Sequence, residues 1–271
     1  MQSIVVGFSA GLLAISAQHP VHAQDSNSAS LDARTILLKS LRTYYRMSSY
    51  NGRANADTLV LTTDGKTLRQ IGTAVEIKYK RPNKLRIDFT TPIGSRIVWS
   101  NAIDLGVYDP LSRKFWIVPS APNMDTMLPL LEKTAQIGTL FDPLYGLSRQ
   151  TLPSQLNGFI LKKKSTFNGH PVYVVSANLK ASPSSEWTWW IDVNTSLILK
   201  VEQLQRNIVQ EIPYVEDGKQ LTKNITINLM MRSVISDARP NAQIADGDFS
   251  FKPPAGATPR ISQGGTGAAA R

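Results

Sequence analysis

Tyr79-Lys80-Arg81-Pro82-Asn83-Lys84-Leu85-Arg86-Ile87-Asp88-Phe89-Thr90-Thr91-Pro92 is the stretch whose reading decides the fold. Just upstream, Ala74-Val75-Glu76-Ile77-Lys78-Tyr79 alternates with the two-residue period of a half-buried strand. Downstream, Leu85, Ile87 and Phe89 fall on one face of a second strand, and Arg86 and Asp88 on the other. Between them Arg81-Pro82-Asn83 is turn chemistry: proline fixes φ and removes a ladder donor, and asparagine tolerates left-handed backbone. The stretch therefore predicts a β-hairpin with one apolar face and an arginine at its corner. On the pattern alone that arginine is a solvated turn residue.

Outward from the hairpin the texture stays β. Leu59 and Leu61 alternate, a turn follows at Thr63-Asp64-Gly65-Lys66, and Thr67 to Lys80 forms the first arm. Beyond the second arm come Ser95 to Trp99, Leu105 to Tyr108 and Lys114 to Val118, with a turn at Asp109-Pro110-Leu111-Ser112. No long helix separates these strands, so a parallel βαβ architecture is disfavoured. Pro119 and Pro122 end the run. Met124 to Gln136 then carries Met127, Leu128, Leu130 and Leu131 on a short, proline-interrupted helix, and Asp142-Pro143 opens a second one. An excursion of this length inside a sheet protein is expected to act as a lid or as a plain cover for one end of the core. Strands resume at Phe159 to Lys163, Val172 to Ala177, Trp187 to Asp192, Leu197 to Leu204 and Lys223 to Val234. At the front, Ser30 is the expected cap of a helix over Leu31 to Met47, with Leu31, Leu38, Leu41 and Tyr45 as its apolar stripe.

The ends read differently. Residues 1 to 23 hold no Asp, Glu, Lys or Arg, Ile4 to Ala17 is apolar, and Val21-His22-Ala23 suits signal-peptide cleavage before Gln24. The n-region lacks the usual positive charge, which leaves the true start open. The apolar run is shorter than the roughly 20 residues of a membrane span. Cysteine is absent, so disulfides, thiolate metal sites and a lipidation cysteine are all excluded. All 30 Lys+Arg and 20 Asp+Glu lie after residue 23, so the mature chain keeps a formal +10. For an exported protein that charge fits anionic lipid headgroups, a negatively charged partner or simple solubility better than nucleic acid. Thr258 to Arg271 is rich in Gly, Ala and Ser and is expected to be a disordered tail. The organisation expected is thus a signal peptide over 1–23, one domain over 24–258 and a tail over 259–271.

Catalytic chemistry is poorly supplied. The mature chain keeps one histidine, His170, in the turn Asn168-Gly169-His170-Pro171, and no nucleophile motif accompanies it. Asp246-Gly247-Asp248 lacks the remaining ligands of a calcium loop and reads as a turn. Lys162-Lys163-Lys164 reads as a strand end in solvent. No cofactor or metal is expected. Trp187 and Trp189 share one face of their strand and Trp190 takes the other, so a core or an apolar cavity must cover both faces.

Three motifs together carry a resemblance. Tyr79-Lys80-Arg81-Pro82-Asn83 with Thr91-Pro92, Val107-Tyr108-Asp109-Pro110, and Asp248-Phe249-Ser250-Phe251-Lys252-Pro253-Pro254-Ala255-Gly256 resemble, in order and spacing, LolA-type periplasmic lipoprotein carriers and related uncharacterised periplasmic proteins. The resemblance covers roughly residues 31 to 258. It implies a mainly β fold with α: a strongly curved antiparallel sheet, an incomplete barrel of about eleven strands, covered by the leading helix and the mid-chain lid. It implies that Arg81 hydrogen-bonds the lid in a closed state. It further implies a soluble, unlipidated, monomeric periplasmic carrier of lipid or lipoprotein acyl chains, with a transient membrane-protein donor or acceptor. A lipid-sensing regulator that binds a membrane partner is the alternative on the same scaffold, and an enzyme built on His170 is a third. The cavity-lining residues expected are Ile77, Tyr79, Leu85, Ile87 and Phe89 on the hairpin, with Trp99, Val107, Trp187 and Trp189 on other strands. Met124, Met127, Leu128 and Leu131 are the expected lid residues. Alternation tells which residues share a face, not which face is inward.

Overall fold

The computed structural model describes residues 32–92, 94–135, 152–216 and 219–259. The second expected lid helix, at Asp142-Pro143, the signal segment and nearly all of the tail lie outside the described residues.

Chain order sets the sheet. Helix α1 (Ala33–Arg46) leads into β1 (Ser49–Leu61), β2 (Thr67–Lys80), β3 (Lys84–Thr91), β4 (Gly94–Asn101), β5 (Asp104–Asp109) and β6 (Lys114–Pro119). Helix α2 (Met124–Ala135) follows, and a single helical turn, Leu152–Gln155, returns the chain to the sheet. There β7 (Leu156–Phe167), β8 (His170–Leu179), β9 (Ser182–Asp192), β10 (Ile198–Glu216) and β11 (Lys219–Pro240) run as hairpins. The spatial order β12-β6-β5-β4-β3-β2-β1-β11-β10-β9-β8-β7 is two meanders joined where β11 pairs with β1. The result, among the described residues, is one curved sheet of twelve strands that ends at β7 and β12, an open relative of a barrel. It bears out the incomplete-barrel expectation, with one addition: β12 (Thr258–Pro259) is a two-residue strand parallel to β6.

The expected hairpin forms, and it pairs Val75 with Phe89, Ile77 with Ile87 and Tyr79 with Leu85. These residues point to the concave face, where they join one buried cluster with Val98 and Val107, and with Trp187 and Trp189 from the other meander. Helix α1 lies over β7, β8 and β9. Its cap is Asp32 rather than Ser30: the Asp32 carboxylate accepts from the Arg34 N–H at 3.2 Å and the Thr35 hydroxyl at 3.1 Å. The stripe it buries is Ala33, Ile36, Leu37, Ser40, Leu41 and Tyr44, one turn-face away from the expected Leu38 and Tyr45. The reason is size. Ala33 and Ser40 are small enough to let the helix sit close to the sheet, a choice that ranking positions by hydrophobicity misses.

The expected strands Leu197–Leu204 and Lys223–Val234 prove to be the inner parts of one long hairpin. β10 and β11 remain paired out to Glu216↔Lys219, well past Leu61, where β1 turns. On the outer face of β2 and β3, the segment after β11 lies as a strap. Lys80 and Lys84 contact the Asp246 carboxylate at 2.7 and 2.8 Å, and Lys78 contacts Asp248 at 3.2 Å. Phe249 is fully buried beneath the strap.

Candidate functional site: the concave face and its helical cover

The concave face is apolar because alternation in five consecutive strands is in phase. Cross-strand pairing places Tyr50 beside Tyr79, Gly52 beside Ile77 and Ala54 beside Val75, all facing inward. Gly52 is required there, since the ring of Tyr50 occupies the space a Cβ would take. Ile77, Tyr79, Leu85, Ile87, Phe89, Val107, Trp187 and Trp189 are all buried and belong to the same cluster. Trp187 and Trp189 stack at 5.9 Å with an interplanar angle of 16°.

Trp99 is a correction. It was expected on this face and lies on the other. Val98, not Trp99, pairs with Ile87 and Val107, while Trp99 pairs with Arg86 and Gly106 on the outer side. There its ring covers Gly106 and meets Phe251 at 4.7 Å. The run Ile97-Val98-Trp99 is apolar on both faces, so hydrophobicity could not assign them. The glycine facing Trp99 across the ladder was the available signal, because a bare glycine accepts a neighbouring ring.

Helix α2 presents Met124, Met127, Leu128 and Leu131, at i, i+3, i+4 and i+7, to the same buried cluster. Asn123 caps it, with its side-chain oxygen accepting the Thr126 N–H at 3.1 Å. The helix carries Pro129 in its interior. Its entry is tied to the organising hairpin by Asn83, whose side-chain amide donates to the carbonyls of Ala121 at 2.7 Å and Ala102 at 3.2 Å. Sequence reasoning missed this role, since turn geometry alone already accounts for an asparagine at that place.

Arg81 sits at the junction of hairpin and helices. The pairing Ser49↔Lys80 brings the end of β2 beside the C-terminus of α1. From there the Arg81 Nε donates to the Met47 carbonyl at 2.8 Å, Nη2 donates to the Tyr45 carbonyl, and the guanidinium lies 4.6 Å from the Tyr45 ring centroid. The cation satisfies carbonyls that a helix end leaves free and meets the negative end of its dipole. Among the described residues its side-chain hydrogen bonds thus go to the end of α1, not to the mid-chain helix expected to receive them.

Tyr79 lies in the same corner. Its hydroxyl is buried with no hydrogen-bond partner among the described residues. Burial pushes the phenol up to about 12, with Arg81 opposing and with Tyr45 and Asp125 adding to the rise. Groups on both α1 and α2 thus bear electrostatically on this one side chain. Beyond it, a surface groove of about 370 Å³ at the end of α1 is lined by Thr43, Arg46, Met47, Thr195, Leu197, Pro240 and Asn241. It includes none of the residues expected to line the cavity.

His170 is accounted for without chemistry. Its Nδ1 meets the buried Asp192 carboxylate at 3.0 Å, while its own side chain is 58% exposed. The other Asp192 oxygen accepts from the N–H groups of Asn194 and Thr195 and from the Thr195 hydroxyl, which builds the β9–β10 turn. Burial raises this carboxyl, but those hydrogen bonds together with the His170 contact outweigh it and hold it below the usual range. Among the described residues, no group of three or more His, Asp or Glu is arranged to hold a metal.

Fold and site together define a class: an open curved sheet whose apolar concave face is covered by a leading helix and a proline-interrupted mid-chain helix. The family model described as "Predicted periplasmic protein (DUF2092)" matches residues 33–261, and the chain belongs to that family. A search of curated proteins finds no match. Solved structures to which the chain is similar include an uncharacterized conserved protein from Thermus thermophilus, at 7% identity and TM-score 0.45, covering 83% of this chain and 96% of that one. The lipoprotein LppX of Mycobacterium tuberculosis matches at 10% identity and TM-score 0.44, covering 79% and 97%. A LolA superfamily protein from Nitrosomonas europaea matches at 11% identity and TM-score 0.33, covering 82% and 99%.

Proposed function

We propose that this protein is a soluble periplasmic carrier of lipid or lipoprotein acyl chains, that it is not an enzyme, and that it takes the chain up between the concave sheet face and its helical cover. The observation that carries the reading is the cover itself. An apolar face built by both meanders is closed by a helix with an internal proline and by a second helix held at its end by one arginine. Burying acyl chain yields roughly 0.8 kcal/mol per CH₂. A site complementary to the whole chain would therefore never release it, so a carrier needs a closed state that competes with the cargo. The helices, packed into the same cluster that would line the cavity, supply that competition. Ile77, Tyr79, Leu85, Ile87, Phe89, Val107, Trp187 and Trp189 then line the opened site, and Met124, Met127, Leu128 and Leu131 withdraw from it.

The binding test is displacement of an apolar fluorescent probe by fatty acid, with mass spectrometry of lipid that co-purifies from the native periplasm. Folded protein that takes up neither probe nor lipid refutes the reading. The mechanism is tested at Arg81. Arg81→Leu removes hydrogen bonds of the closed state, each worth about 1.5–3 kcal/mol when one partner is charged. The loaded state, whose acyl contacts lie elsewhere, loses less. The variant is expected to bind cargo at least as well and to release it to acceptor vesicles more than about tenfold more slowly, since about 1.4 kcal/mol is tenfold. An unchanged off-rate would confine Arg81 to holding the end of α1.

A further inference from the structure

Two unpaired polar atoms belong to neighbouring residues of the apolar interior. Trp187 and Gln203 are cross-strand partners on β9 and β10, facing the concave side. Both are nearly fully buried, at 3% and 2% exposed. The Trp187 indole Nε1 and the Gln203 Oε1 have no hydrogen-bond partner among the described residues. Gln203 is nevertheless held in place, because its Nε2 donates to the buried Ser185 hydroxyl at 3.0 Å. The stack on Trp189 likewise fixes the indole plane. Leaving a buried donor and a buried acceptor unmade costs stability, a cost that purely apolar side chains would not carry.

We propose that this pair is the polar seat of the acyl site and that it takes a secondary amide, the linkage of an N-acylated chain. The inference rests on the acyl-carrier reading above. Indole offers only a donor, and the free carboxamide oxygen offers only an acceptor. A trans secondary amide presents its carbonyl and its N–H on opposite edges, so one lying between the two side chains accepts from the indole and donates to the carboxamide oxygen. An ester supplies the carbonyl for Trp187 but sets an oxygen lone pair where Gln203 needs a donor. A free hydrocarbon or fatty-acid tail satisfies neither atom. On the flanking strands the partners of the pair are apolar, Ala177 beside Trp187 and Met231 beside Gln203. A chain can therefore run on from the seat in hydrocarbon surroundings. The amide could come from an N-acylated protein terminus or from an amide-linked lipid, and the chemistry of the seat is the same for both.

The test is competition against a bound apolar probe by matched amides and esters. Decanoyl-glycyl-glycinamide and its glycolyl ester analogue stand for the protein terminus; N-octyl decanamide and octyl decanoate stand for the lipid. In the wild-type protein the amide is expected to compete about tenfold better than its ester in at least one series, because a site with a fixed polar partner rejects the analogue lacking it. The series with the larger ratio names the source. Gln203→Met should bring the ratio to within about twofold without weakening the ester, and Trp187→Phe should weaken amide and ester alike by about threefold to tenfold. Equal competition by amide and ester in both series overturns the seat while leaving acyl binding intact. A ratio that survives Gln203→Met also overturns it. If no ligand of either linkage displaces the probe, the seat and the acyl-carrier reading fall together. The wild-type ratio needs no variant, so a substitution that fails to fold leaves the test standing.

Discussion

Arg81 and Tyr79 place opposite electrostatics in one corner of the fold. The guanidinium caps carbonyls of α1, while the Tyr79 hydroxyl is buried without a partner among the described residues and its ionisation is pushed up to about 12. In the unfolded chain a tyrosine ionises near pH 10. Between about pH 10 and 12 the unfolded chain thus gives up a proton that the folded protein holds, and stability falls by about 1.4 kcal/mol per pH unit for this group. Burial raises Tyr50 in the same direction, with the Asp237 charge adding to it. Urea unfolding at pH 8, 10 and 11 should show this alkaline loss, and Tyr79→Phe should make it shallower. At pH 7 the same substitution removes an unpaired buried hydroxyl. It is expected to leave stability unchanged or raise it by about 1 kcal/mol. A loss of several kcal/mol would mean that the hydroxyl has a partner in solution.

At the scale of elements, the carrier reading proposed above makes α2 the part whose stability would set the exchange of cargo. Pro129 has no N–H to give to the carbonyl one turn earlier, and proline in a helix interior costs about 3 kcal/mol relative to alanine. The residue is exposed, so alanine can replace it without disturbing the buried stripe. Pro129→Ala should raise the melting temperature and slow probe uptake by about tenfold or more, as a firmer helix leaves the sheet less often. Stopped-flow uptake checks this. A faster uptake by a more stable protein would show that α2 does not gate the site.

The whole molecule is held from both faces of its sheet. Helices cover the concave side, and the strap after β11 covers part of the outer side with Phe249 beneath it and Phe251 against Trp99 and Tyr108. Phe249→Ala should cost about 3–5 kcal/mol in denaturant unfolding, the usual cost of emptying a buried phenylalanine site. Because Trp99 lies under the same segment, its emission should shift to the red in that variant even where the fold survives. An emission unchanged from wild type would show that the strap is not held by Phe249. The strap's ion pairs act at the surface: hydrogen bonds from Lys80 and Lys84 bring the Asp246 carboxyl to about 2. That contribution is present above the usual carboxylate range and disappears as pH falls through about 2.

The amino-acid sequence alone determined the strands of the first meander, the organising hairpin and its apolar face, the stripe of α2 and the phasing of Trp187 with Trp189. Each of these is a local pattern: side chains alternate along an extended chain and recur every three or four residues on a helix, and proline and asparagine limit the backbone between them. Tertiary structure alone decided which apolar face of β4 turned inward. Ile97, Val98 and Trp99 satisfy either choice, and only the strap, about 150 residues further along the chain, makes the outer face dry enough for a tryptophan. The destination of Arg81 was likewise set by the pairing of Ser49 with Lys80, which brings a helix end to the hairpin corner. Trp187 and Gln203 met because β9 and β10 are in register, and no local pattern predicts two unpaired atoms. Periodicity is a property of the local backbone, whereas inwardness, capping across the fold and unmet hydrogen bonds depend on what distant segments cover.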